Sequence, residues 1–162
     1  MKFIYWPVIV LFLSACNSES KSDTGSSANS NVNTQNAVAD ITAVEVKGNE
    51  DNYTFSVTLK SDDKGCDQYA NWWEVLNADG NLVYRRVLGH SHTSEQPFTR
   101  SGGTVNIKAS SMVFIRAHMH PQGYSGDVFK GSVENGFAKL KTAPSFSTAI
   151  ETEAPLPSGC AF

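Results

Sequence analysis

The chain has 162 residues, with 13 lysines and arginines against 16 aspartates and glutamates and a net charge of −3. A mildly acidic chain without runs of like charge speaks against nucleic acid as a partner, which calls for a basic stripe, and against a polybasic membrane patch. Beyond the first fifteen residues there is one domain's worth of chain, long enough to bury a hydrophobic core.

The chain opens on Lys2 and an apolar run over residues 3–13, broken only by Pro7, that ends in Leu13-Ser14-Ala15-Cys16. So short a run does not span a bilayer and reads as an export signal over residues 1–15. The four residues resemble the lipobox of bacterial lipoproteins. That resemblance implies cleavage before Cys16, a diacylglyceryl thioether on its sulfur and a fatty-acylated (palmitate-type) new N-terminus. Two or three acyl chains anchor a protein stably where one does not. It also implies a membrane-attached, periplasm-facing protein of the cell envelope. Residue 17 is Asn rather than the Asp that commonly retains such proteins at the inner membrane, so the outer membrane is expected. An ordinary export signal in which Cys16 is incidental is the other reading.

Residues 16–38 are rich in Ser, Asn, Thr and Gly with scattered charge. Such a stretch cannot offset the entropy of ordering and is expected to be a disordered tether, with a reach of roughly 25 Å as a flexible coil. The folded module is expected over residues 39–162, and in it the apolar period is two. Tyr53, Phe55, Val57 and Leu59 alternate with Thr54, Ser56, Thr58 and Lys60, the pattern of a half-buried strand. An earlier strand is expected over 41–46. Strands over 69–76 and 82–88 flank a turn containing Asp79-Gly80. Ser101-Gly102-Gly103 is read as a turn into a strand over 104–109, followed by one over 112–120. Weaker strands are expected over 137–141 and 145–150, before a proline-rich tail that contains Cys160.

Short strands at turn-punctuated spacing argue an all-β, antiparallel β-sandwich of about seven strands. The order resembles immunoglobulin or fibronectin type III domains, with Trp72-Trp73 on the third strand, where such folds bury an aromatic. The antibody-type cysteine spacing is absent, and fold alone assigns no activity.

All four histidines form two His-x-His pairs, His90/His92 and His118/His120. On a strand, residues i and i+2 share a face, so each pair can offer two imidazoles to one transition metal, copper or zinc. If the Trp strand lies between the strands over 82–88 and 112–120, both pairs fall at the same end of one sheet. Ala70 would then leave room for them to converge, with Met119 pointing into the core. An imidazole cluster without metal, bonded to Glu74, Glu95 or Tyr124, is the competing reading.

Cys66 and Cys160 remain as an even pair in an oxidising compartment and are expected to form a disulfide that pins the tail near the histidines. The alternative to metal binding is a tethered, metal-free module presenting Trp72, Glu95, Arg100, Arg116 and Tyr124 to an envelope protein or glycan. An enzyme is the reading with least support, because no nucleophile elbow, phosphate loop or zinc-protease motif is present and no catalytic residue can be named.

Overall fold

The computed structural model describes residues 36–161. The export signal, Cys16 and most of the expected tether lie outside the described residues. The last tether residues already belong to the fold. Ala37 is buried in the core, and the Val38 amide donates to Asp62 Oδ2 at 3.0 Å, so the packed module begins about two residues before the expected boundary.

Among the described residues eight antiparallel strands form two sheets. The first has the order β1 (Ala39–Asn49), β2 (Asn52–Ser61), β5 (Phe98–Val105). The second runs β4 (Leu82–Val87), β3 (Tyr69–Asn77), β6 (Val113–His120), β7 (Phe129–Ser132), β8 (Gly136–Lys139). The alternation that marks β2 sends Tyr53, Phe55, Val57 and Leu59 inward. They meet Trp73 and Val75 of β3 and Val113, Ile115, Ala117 and Met119 of β6 in one apolar core between the sheets.

Three expectations need correction. The strand expected over 104–109 is β5, which begins six residues earlier, so the two glycines lie within the strand and not in a turn before it. A Cβ on Gly102 would stand 2.5 Å from Tyr84 Oη, and one on Gly103 2.6 Å from the Tyr53 carbonyl oxygen. These glycines admit close neighbours. Residues 145–150 form no strand: Ser147 caps a 3₁₀ turn, Thr148–Thr152, by accepting the Ala149 amide, and Ile150 is buried beneath it. The short β7 is an addition to the expected strands, because Phe129 to Ser132 are too few to show a period.

The central strand β3 is buried on both sides over Tyr69 to Leu76. An antiparallel sandwich ordinarily leaves the outer faces of its sheets to water. Here residues 143–161 cross that face as a strap. Ile150 joins Leu76, Phe114 and Val128 in a second apolar cluster, Phe146 packs edge-on against Phe114 at 5.1 Å, and the Cys66–Cys160 disulfide holds the far end.

Candidate functional site

Two charged residues on neighbouring strands face a third across the sheet. The register sets Glu74 of β3 opposite Arg85 of β4 on one side and Arg116 of β6 on the other. The Glu74 carboxylate is fully buried. Its Oε2 accepts from Arg85 Nε at 2.8 Å and Nη2 at 2.6 Å, and its Oε1 accepts from Arg116 Nε at 2.8 Å. Arg85 also donates to the strap carbonyls of Ile150, Glu153 and Pro155, so the same guanidinium fastens the tail to the sheet. Two buried guanidiniums thus share one carboxylate.

Aromatic rings surround this triad. Trp72 stacks on His118 with ring centres 3.8 Å apart, its Nε1 donates to Tyr124 Oη at 3.2 Å, and Arg85 sits 4.5 Å over its ring. The Arg116 guanidinium lies 3.4 Å over Tyr124 and 4.9 Å over Phe146. Burial, and next the Glu74 carboxylate, push the Tyr124 phenol well above its ordinary value. Tyr124 therefore keeps its phenolic proton at neutral pH.

The four histidines do not gather at one point. A bulge in β3 between Ala70 and Trp72 turns Ala70 into the core opposite Met119 and places Asn71 beside His118. His118 Nδ1 donates to Asn71 Oδ1 at 2.6 Å, which commits one ring nitrogen. Burial, with Arg85, His120 and Arg116 nearby, lowers its pKa to about 4. His120 is exposed beside Tyr69. At the other pair, His92 is buried flat against Phe98, ring centres 3.8 Å apart, with His90 4.3 Å away. Burial, with Arg100 and His90 adding, lowers His92 to about 4 as well. Asp63 organises this loop: its Oδ1 accepts from Ser61 Oγ and the Ala70 amide, and its Oδ2 from the His92 amide at 2.7 Å.

The strap comes between the pairs. Ala161 bonds to the Gly89 carbonyl and bridges His90, while Leu156, Pro157, Gly159 and Cys160 line a cavity of about 710 Å³ with Trp72, His118 and His120. Among the described residues no three His, Cys, Asp or Glu side chains are placed to hold one metal ion. The expected four-nitrogen copper or zinc grouping is therefore not assembled among the described residues. The cause is the Asn71 bulge together with the tail, neither of which strand periodicity reveals.

The expected interaction residues divide. Trp72 and Arg116 are on the outer face of β3 and β6 as reasoned, but each is only 4% exposed because the strap covers them. Tyr124 is half-buried and borders a second cavity, about 370 Å³, beside Arg116. Glu95 and Arg100 pair with each other at the three-stranded sheet and belong to a different surface. The Cys66–Cys160 disulfide is formed, at the loop that leads into β3. Periodicity and motifs alone do not mark Glu74, Asp63, Asn71, Phe146 or Glu151 as site residues in their own right. A signal existed for Glu74, a lone acid inside an apolar strand whose expected neighbours each carry an arginine.

The chain is 42% identical over 82 residues to a protein of Halomicrobium mukohataei named "Putative lipoprotein". The match takes in 51% of this chain and spans 40% of that protein's length. No family model and no solved structure matches the chain. Among the described residues no helix is long and apolar enough to cross a membrane.

Proposed function

We propose that the chain is a lipid-anchored envelope protein whose β-sandwich, of immunoglobulin or fibronectin type III type, binds a partner on the outer face of its five-stranded sheet and does no chemistry there. The observation that carries the reading is the pair of cavities that the strap leaves over β3 and β6, both bordered by Glu151 and containing Trp72, His118, Tyr124 and Arg116. Aromatic faces with a few fixed polar groups are the usual lining of a ligand site. The lipobox-like Leu13-Ser14-Ala15-Cys16 and the name of the relative support the anchor. The strand order β1-β2-β5 against β4-β3-β6-β7 supports the sandwich type, with β8 as an added edge strand. Asn17 supports the outer membrane.

A photo-crosslinking residue placed at exposed Gln122, at the mouth of the smaller cavity, tests the reading in living cells. The expected result is a discrete adduct at position 122 and none at Thr99 on the three-stranded sheet. Equal labelling at both positions, or none at 122, overturns the assignment of this face.

A further inference from the structure

One short motif stands apart from the strap and its cavities. Glu50-Asp51-Asn52-Tyr53-Thr54 carries the chain from β1 into β2 and contains an Asn-x-Thr triplet with tyrosine in the middle. Nowhere else in the chain is an asparagine followed two residues later by serine or threonine. Asn-x-Ser/Thr is the acceptor sequence for N-linked sugar in exported proteins, and it requires a surface position in the finished fold.

The spacing has a physical reason. In an extended chain residues i and i+2 share a side, so the Thr54 hydroxyl stands beside the Asn52 amide. Glu50 falls on the same side two residues earlier, which gives an enzyme one polar handle on each flank of the acceptor. The finished fold keeps the acceptor accessible. Tyr53 turns into the core at 5% exposure, while Asn52 and Thr54 are exposed on the outer face of the three-stranded sheet. Thr104 Oγ1 donates to Asn52 Oδ1 at 3.0 Å. That bond uses the carbonyl oxygen, which an N-linked sugar leaves in place, and not the nitrogen that would carry it. The surrounding floor is hydroxylic: Ser56 pairs with Ser101 and Thr58 with Thr99 across β2 and β5, each at 2.8 Å. A sugar on Asn52 therefore lies over polar, hydrated surface and covers no apolar contact.

We propose that Asn52 is an N-glycosylation site, modified during export by an oligosaccharide carried on a membrane-lipid phosphate. The bond from the sugar C1 to the phosphate oxygen breaks and a bond from C1 to Asn52 Nδ2 forms. The lipid phosphate leaves with the electron pair of the broken bond, and one Nδ2 proton passes to a base of the transferring enzyme. This goes beyond partner binding at the strap: it rests on export, and it places the sugar on the other sheet.

The test is mass spectrometry of the full chain taken from the membranes of cells that make it naturally, with the tryptic peptide over residues 48–60 fragmented to locate any sugar. The expected spectrum shows that peptide carrying a sugar chain on Asn52. Asn52→Gln and Thr54→Ala should each abolish the modification, and Thr54→Ser should keep it, because serine supplies the same hydroxyl. The readout is a mass and does not require that a variant fold. A peptide found only bare in the natural protein, or a sugar that persists in Asn52→Gln or Thr54→Ala, overturns the proposal, as does its complete loss in Thr54→Ser.

Discussion

Glu74→Gln is the most demanding perturbation of this molecule, since Gln keeps the side chain's shape and discards only its charge. In the native protein the carboxylate takes three donors at 2.6–2.8 Å from two guanidiniums, in a place water does not reach. Gln leaves both cations without a counter-charge and turns an amide donor toward a guanidinium donor. Removing one partner of a buried ion pair costs about 3–5 kcal/mol. That is a large share of the 5–15 kcal/mol typical of a whole domain. With a urea m-value of about 2 kcal/mol/M, the midpoint should fall by about 1.5–2.5 M. Glu74→Asp is the control, because it keeps the charge and loses one methylene, worth about 1 kcal/mol. Equilibrium unfolding followed by the fluorescence of Trp72 and Trp73, both buried on β3, reads the two variants on one scale. If Asp proves worse than Gln, or Gln shifts the midpoint by less than about 0.5 M, shape and not charge governs the site, and the argument built on the triad fails.

Three further outcomes are expected. Reducing the Cys66–Cys160 bridge, whose cysteines are 94 residues apart, should lower unfolding stability by about 4–5 kcal/mol on the chain-entropy account; a loss under about 1 kcal/mol in denaturant with and without reductant would mean that the strap unfolds separately from the sandwich. His92 and His118 each titrate near 4 in the fold against an ordinary 6.5, so between those values the unfolded chain binds more protons than the native one. Stability should therefore be complete above about pH 6.5 and decline as the pH falls toward 4, and the double variant His92→Gln/His118→Gln should show a flatter slope over that interval than the wild type; an unchanged slope refutes the assignment. Cys16→Ser should end palmitate incorporation and release the protein from the membrane fraction, and its continued labelling would place the acylation elsewhere.

The fold was legible where one face of a strand is wet. Residues 53–59 alternate because the outer side of β2 meets solvent, and the same holds for much of β1. The strand over 69–76 was placed by its apolar content and the Asp79-Gly80 turn, and its position between β4 and β6 followed from the sandwich order. Its second buried face was not legible, because that burial is imposed by a segment some seventy residues away with no period of its own. The glycines of β5 misled for a related reason. In sequence they read as a turn, whereas Tyr84 and the Tyr53 backbone require them inside a strand. Close approach by a distant residue leaves no local mark beyond the glycine itself.

The histidine pairs are kept apart in part by a single residue that the expectation did not foresee. That expectation assumed unbroken alternation along β3, and one inserted position at Asn71 moved Ala70 to the core and set a hydrogen-bonding amide where open space was expected. A slip of one residue exchanges the two faces of a strand, so any site inferred from pairs at i and i+2 depends on the absence of bulges, which sequence rarely discloses. Pairing by charge is more tolerant. Arg85 and Arg116 stand opposite Glu74 on either side, and the bulge lies before that point, so the triad survives the irregularity that separates the imidazoles. The guanidinium left over at Arg116 is then a consequence of three strands meeting in register beneath a strap that supplies carbonyls to Arg85 and none to its neighbour. The asymmetry arises at the level of packing, because strand register alone sets two guanidiniums against one carboxylate.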